Sequence, residues 1–108
     1  MIPKIRLKFK GNEYNLEFSS RSIVEMERRG FKAYEIPEKA FSLLPDMFTG
    51  AFVANHPDTP QSVIDEIYTL IDDKAELLGV LAEMLTLAID EYITELKKAR
   101  NGLEWEKI

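Results

Sequence analysis

The residues able to perform acid–base or metal chemistry are few in this sequence. It contains one histidine, His56, and no cysteine. A lone imidazole makes neither a transition-metal site nor an oriented catalytic base, because each needs a second group at a suitable spacing. We therefore expect His56 to be a surface loop residue. The lack of thiols also excludes disulfides, thiolate metal sites and cysteine nucleophiles from this sequence.

Acidic residues and glycines also fall short of a recognisable site. Five carboxylates lie close together in the sequence: Asp65, Glu66, Asp72, Asp73 and Glu76. A helix–loop–helix calcium site alternates its oxygen ligands around a glycine, and these residues instead stand where helix caps and first turns favour negative charge. Gly50 and Gly79 are isolated, so no glycine-rich loop indicates a nucleotide site. We predict a protein that is not an enzyme, with no catalytic residue, metal or cofactor.

Positive charge is concentrated in the first third of the sequence. Residues 1–32 carry eight basic and four acidic side chains, a net +4, and residues 33–108 carry six and fifteen, a net −9, which together make the overall −5. The basic face of the first predicted strand is the one argument for nucleic-acid binding. We do not favour nucleic-acid binding, because Glu13 and Glu17 should lie across the hairpin from two of these basic side chains. The sequence pI is also about 4.9, and the aromatic residues point to the buried side.

Two alternating segments must position these charges. Residues 4–10 and 13–18 place apolar side chains on one face and mostly charged ones on the other, which is the period of a half-buried strand. Gly11-Asn12 between them suits a type II′ turn, because glycine accepts the positive φ of its first central position. The predicted hairpin pairs Phe9 with Tyr14, Leu7 with Leu16, and Ile5 with Phe18.

Helices are predicted for most of the remaining sequence. A short helix begins at one of the capping serines, Ser19, Ser20 or Ser22, and ends before Gly30. Residues 31–36 are either a loop or a short third strand. Pro37 and Pro45 each suit a first helical position, and we favour a helix that starts near Pro45 and ends at Asn55.

The last two predicted helices follow clear boundary signals. Thr59-Pro60 reads as an N-cap and first helical residue, opening a helix that runs to Ile71. Asp72-Asp73 then caps the longest helix, from about Lys74 to Arg100, which stops at Asn101-Gly102.

The long helix has more apolar surface than one packed face requires. Its polar residues fall in one narrow arc, and apolar side chains cover roughly two-thirds of the circumference at about 100° per residue. Some of this surface should contact a partner or a second copy of the chain. Our candidate partner-binding residues are Val80, Leu87 and Ile93, followed by Phe48 and Phe52.

The predicted architecture is a single α+β domain over residues 1–102, with an N-terminal β-hairpin packed on a mostly helical body. Residues 103–108 form a tail that could dock as a strand, contact a partner or be mobile. The start of the sequence alternates charged and apolar residues, unlike a signal peptide. The longest apolar stretch, Leu77 to Leu85, is far shorter than the roughly 20 residues of a membrane-spanning helix.

The order of elements resembles a known family. The segments that carry the likeness are Tyr14-Asn15-Leu16-Glu17-Phe18, Met26-Glu27-Arg28-Arg29-Gly30-Phe31, Leu44-Pro45-Asp46-Met47-Phe48-Thr49-Gly50-Ala51-Phe52, Ile64-Asp65-Glu66-Ile67-Tyr68 and the helix from Lys74 to Met84. Together they resemble the tail assembly chaperones of long-tailed phages and prophages over about residues 4 to 94. These segments are packing and turn signatures and include no catalytic residue.

The resemblance implies a function in the cytoplasm of a bacterial host. Members of that family bind and solubilise the tape measure protein during tail assembly and help to bring tail tube subunits to it, without catalysis or a cofactor. We therefore expect a non-enzymatic assembly chaperone whose partners are the tape measure protein and the tail tube protein. A small DNA-binding regulator using the basic hairpin and a minor virion structural protein are the alternatives.

Overall fold

The computed structural model describes residues 2–98 and 105–107 and has an α+β architecture, as predicted. An antiparallel hairpin of β1 (Ile5–Phe9) and β2 (Asn12–Leu16) comes first. Four α-helices follow: α1 (Ser20–Arg28), α2 (Ile36–Val53), α3 (Gln61–Leu70) and α4 (Lys74–Lys98). None of the helices within the described residues combines the length and apolarity needed to cross a membrane.

The hairpin has the predicted faces but a different register. Its turn is Lys10-Gly11, with φ of 49° and 82°, so both central residues take the positive φ of a type I′ turn. Leu7 consequently lies opposite Tyr14 rather than Leu16, and Ile5 lies opposite Leu16. The predicted Gly11-Asn12 turn and its pairing were wrong. A shift of two residues leaves every side chain on its original face, so alternation alone does not distinguish the two registers.

Helix α1 is closed at both ends by local hydrogen bonds. Ser19 is the N-cap, and its backbone N–H donates to the Ser22 hydroxyl while the Ser19 hydroxyl accepts from the Ser22 N–H. At the other end, Gly30 has a φ of 95°, its N–H donates to the Glu27 carbonyl, and the Phe31 N–H donates to the Met26 carbonyl. These bonds form a Schellman motif, which confirms the predicted stop at Gly30.

The segment after α1 differs from the prediction. A short 3-10 helix at Ala33–Glu35 replaces the predicted loop or third strand. Helix α2 then begins at Ile36 with Pro37 in its first turn, so the predicted start near Pro45 was wrong. Pro45 lies inside α2, although it cannot donate the hydrogen bond of that position. The helix contains a kink at Lys39, with φ of −128° and ψ of 31°.

The last two helices begin close to their predicted starts. Helix α3 begins at Gln61 with Pro60 as its N-cap, one residue later than predicted. Helix α4 begins at Lys74, and the Asp73 carboxylate accepts a hydrogen bond of 2.9 Å from the Glu76 N–H, as a capping residue should. The predicted end of α4 at Asn101-Gly102 lies outside the described residues.

The core lies where α2 meets α4, the hairpin and α1. Helix α2 contributes five buried apolar side chains, Leu44, Met47, Phe48, Ala51 and Phe52. Gly50 on α2 allows α1 to approach closely, because a Cβ there would overlap the Met26 side chain. Helices α1, α3 and α4 and strand β2 therefore pack against α2, and the hairpin is held on the helices through its apolar side.

Candidate partner-binding surfaces

Helix α4 divides its apolar circumference between the core and the surface. Its buried residues are Leu77, Leu81, Met84, Leu85 and Ala88. The polar arc predicted from the sequence is exposed throughout, at Glu76, Gly79, Glu83, Thr86, Asp90, Thr94 and Lys97. From Ile89 to Lys98 no described residue of α4 is buried. The second half of the helix therefore presents apolar residues that no other described element covers completely.

The three predicted contact residues on α4 do not form one surface. Val80 and Leu87 are both half-buried and lie seven residues apart, on the same flank of the buried face. Ile93 is 45% exposed, and at about 100° per residue it points roughly 120° away from Leu87. A single partner helix lying along α4 would contact one flank or the other.

The flank that contains Ile93 continues in both directions. Ile89, Ile93 and Leu96 follow the i, i+4, i+7 spacing of one helix face, and we call these three residues the α4 stripe. Ile89 is half-buried against the core, whereas Leu96 is 55% exposed. The stripe thus becomes more exposed toward the end of the helix, and Leu96 belongs to this surface although it was not among the contact residues predicted from the sequence.

Phe48 and Phe52 lie in the core, not on a partner-binding surface. Their side chains are 0% and 1% exposed. The two rings contact each other edge to face at 5.3 Å between centroids, and Phe52 also contacts Tyr14 of β2 at 5.6 Å. Helical spacing alone does not separate a core face from a partner-binding face, which is why the prediction placed them at the surface.

His56 joins the end of α2 to the outer edge of β2. Its Nε2 accepts a hydrogen bond of 3.0 Å from the Asn15 N–H, and its ring lies edge-on to Tyr14. The neighbouring Asn55 side-chain amide donates to the Asn15 carbonyl at 2.9 Å and to the Glu17 carboxylate at 2.8 Å. A fourth bond runs from the Glu17 N–H to the Ala51 carbonyl at 3.1 Å. These contacts span about forty positions in the sequence, so no local signal predicts them.

None of the described residues covers the outer edge of β1 in this way. Because both backbone groups of Asn15 bond to the side chains of Asn55 and His56, just after α2, Arg6 and Asn15 form a non-hydrogen-bonded pair, and Lys8 and Glu13 form the next one. The N–H and C=O groups of Arg6 and Lys8 therefore point away from β2. Within residues 2–98 and 105–107 no hydrogen bond reaches these four groups.

Three of the five carboxylates grouped in the sequence make structural contacts. Of the carboxylates grouped in the sequence, Asp73 caps α4, Asp65 accepts from Gln61, and Glu66 forms an ion pair of 3.1 Å with Lys10. Burial raises the pKa of the Tyr68 phenol above its ordinary value. Across the described parts of the chain, no group of three or more potential ligands could hold a metal ion.

The molecule is thus a small α+β protein with an apolar helix flank and a strand edge that the described residues leave uncovered. Over residues 1–107 the chain matches a family described as a domain of unknown function, DUF5055, and because nearly all of the chain is matched, the protein belongs to that family. The match includes most of the segment 103–108 that the sequence analysis separated as a tail. No curated protein and no solved structure matches the chain.

Proposed function

We propose that the protein is a non-enzymatic assembly chaperone of the phage tail kind, which binds and solubilises the tape measure protein in the cytoplasm of a bacterial host. The observation that supports this proposal is the α4 stripe, Ile89, Ile93 and Leu96, whose exposure rises along the second half of α4. The sequence resemblance to tail assembly chaperones supports the choice of client. The tail tube protein is the second proposed partner.

The proposed mechanism is the packing of one apolar helix on another. A client helix with apolar residues at i, i+4 and i+7 would lie along the stripe and remain shielded from aggregation until another tail component displaces it. Completing the burial of three partly covered aliphatic side chains contributes about 3–5 kcal/mol. Since micromolar binding requires about 8 kcal/mol, the stripe by itself supports a weak and reversible complex. Such affinity suits a chaperone that must release its client.

Co-expression tests this proposal. The chain is produced together with the tape measure protein of the phage or prophage that encodes it, and we expect a complex and a gain in the amount of soluble client. Ile93→Asp and Leu96→Asp should abolish both effects, because a carboxylate would be buried against the client. Thr94→Asp is the matched control: it adds the same charge in the same turn but on the exposed polar arc. No complex and no gain in solubility with the unaltered chain would overturn the proposal.

The two alternatives are tested separately. A DNA-binding regulator requires a mobility shift that is strongest at low ionic strength, since phosphate contacts weaken as salt rises. A minor virion structural protein requires the chain to be present in purified particles. If the protein is an assembly chaperone, we expect neither a mobility shift nor its presence in purified particles.

A further inference from the structure

We propose that the outer edge of β1 is an addition site for an extended segment of another protein in which acidic and apolar residues alternate. This inference concerns a different surface from the α4 stripe, and it does not rest on the proposed function. Its occupant is a strand, whereas the stripe would take a helix. Backbone geometry, charge and the shape of the neighbouring surface support it.

The backbone supplies the first argument. Arg6 and Lys8 direct two N–H and two C=O groups outward, at the spacing that an added strand pairs with. On the other side of the hairpin, both outward groups of Asn15 are already used by Asn55 and His56, and the Glu17 N–H bonds to the Ala51 carbonyl, whereas the outward groups of Glu13 form no hydrogen bond within the described residues. A strand can therefore extend this sheet on the β1 side and not beside Asn15.

Charge identifies the kind of strand. Arg6 and Lys8 are exposed on one face of β1, and Lys4 is exposed just before the strand. Lys4 pairs with Glu17 at 3.7 Å, whereas within the described residues Arg6 and Lys8 form no ion pair. A second copy of β1 added at this edge would bring like charges together, which is how natural edge strands avoid self-pairing. Acidic side chains at alternate positions would instead lie beside these cations and form cross-strand pairs.

The opposite face of the edge accepts apolar side chains. A shallow depression of about 330 Å³ lies there, lined by Ile5 of β1 together with Ile71, Leu77 and Val80. Its lining includes no β2 residue, so it lies on the open side of the hairpin. Asp73 and Glu76 also line it and would repel an acidic side chain. A strand with acidic residues on the basic face and apolar residues over this depression satisfies both sides of the edge.

A nucleic acid fits this edge less well than a strand does. Phosphates would pair with Arg6 and Lys8, but they would leave the outward N–H and C=O pairs without matched partners. Glu13 lies directly opposite Lys8 on the same face, and the aromatic residues of the hairpin, Phe9 and Tyr14, lie on the side that packs against the core. The face thus lacks the stacking platform of a single-strand binder.

Binding of a designed peptide tests the inference. The probe is a labelled, end-blocked peptide of sequence GEVEVEVEG, measured by fluorescence anisotropy with the full chain. The control peptide, GEEEEVVVG, has the same composition but separates acidic from apolar residues. We expect binding of the alternating peptide at least about tenfold tighter than the control, which is 1.4 kcal/mol. Rising salt should weaken it, because exposed charges are screened within about 10 Å at 0.1 M.

Two matched proline variants locate the site on the protein. Lys8 and Glu13 face each other, and the backbone N–H of each points away from the hairpin. Lys8→Pro should therefore block the β1 edge and weaken peptide binding at least about tenfold, while Glu13→Pro should leave binding within about twofold. Neither variant loses a hydrogen bond of the hairpin, so both should keep the native fold. The far-ultraviolet circular dichroism of both variants checks this.

Modified peptides keep the test decisive if the proline variants fold poorly. N-methylation of the glutamate nitrogens removes the N–H groups that an antiparallel strand would aim at Arg6 and Lys8, whereas N-methylation of the valine nitrogens alters those that point away. We expect the two peptides to differ at least about tenfold in affinity. Amide exchange by NMR should show Arg6 and Lys8 becoming protected when the unmodified peptide binds.

Several results would overturn the inference. The first is equal binding of the alternating peptide and the control peptide. The others are an equal loss of peptide affinity in Lys8→Pro and Glu13→Pro, and equal affinity of the two N-methylated peptides. Protection of the Arg6 and Lys8 amides in a dimer of the chain alone would show that a second copy occupies the edge. Displacement of the peptide by a DNA duplex that carries the same total negative charge would identify the surface as a phosphate site. The Ile93→Asp variant should bind the peptide normally, so failure of the proposed function leaves this test unaffected.

Discussion

The two edges of the hairpin are built from strands of the same length, but the protein treats them differently. The outer edge of β2 is closed at Asn15 by Asn55 and His56, and just past the strand the Glu17 N–H bonds to the Ala51 carbonyl of α2. The outer edge of β1 is open along Arg6 and Lys8 within the described residues and is marked by exposed basic side chains. The contrast shows that an edge strand can be protected by hydrogen bonds from a neighbouring helix or by charge alone.

The difference has an energetic consequence. Backbone groups that are bonded inside the fold contribute to its stability, whereas groups bonded only to water are available to another chain. The β2 edge at Asn15 is therefore part of the folding unit, whereas the β1 edge at Arg6 and Lys8 is a surface. Changing one edge at a time tests this distinction.

The largest effect is expected where β2 rests on the core. Phe52 is 1% exposed and its ring contacts Tyr14 of β2. Phe52→Ala should lower the free energy of unfolding by about 3–5 kcal/mol, through lost burial and the cavity left behind. Urea denaturation followed by circular dichroism measures it. A loss below about 1 kcal/mol would mean that the hairpin is not anchored through this ring.

The next effect concerns amide exchange in the chain alone. The Asn15 and Glu17 amides donate to His56 and Ala51, so they should exchange slowly. The Arg6 and Lys8 amides, which face solvent, should exchange at least about tenfold faster, equivalent to 1.4 kcal/mol of local protection. NMR-detected exchange into deuterated water compares all four positions in one sample. Equal rates on both edges would contradict the asymmetry.

A smaller effect is expected from the side chains that close the β2 edge. Asn55→Ala removes hydrogen bonds to the Asn15 carbonyl and the Glu17 carboxylate and should cost about 1–2 kcal/mol of folding stability. The matched change on the open edge, Lys8→Ala, should alter stability by less than about 0.5 kcal/mol, because that exposed side chain has no ion-pair partner among the described residues. Similar losses for both variants would remove the distinction between the edges.

Several features of the fold were predictable because they depend on near neighbours in the sequence. The stop of α1 at Gly30, the Asp73 cap and the exposed polar arc of α4 each involve residues within one or two helical turns. The face of each strand was equally predictable from the alternation of side chains. In these places the sequence acts through local geometry, which tertiary contacts do not reverse.

Other features were not predictable, and each has a physical cause. The hairpin register depended on a type I′ turn that places Lys10 at a positive φ, an uncommon conformation for a residue other than glycine. Helix α2 continues through Pro45, since packing of its apolar face against the core offsets one missing hydrogen bond. Phe48 and Phe52 have the same helical spacing whether their partner is this core or another protein.

The candidate surfaces divide in the same way. The sequence alone determined that α4 has more apolar circumference than one packed face uses, and that basic residues line one side of β1. Only the tertiary structure decided that the core takes residues up to Ala88 and leaves Ile93 and Leu96 exposed. It also decided which hairpin edge is closed, because the hydrogen bonds from Asn55 and His56 join residues about forty positions apart. Contacts at that separation depend on how the helices pack, which no local pattern encodes.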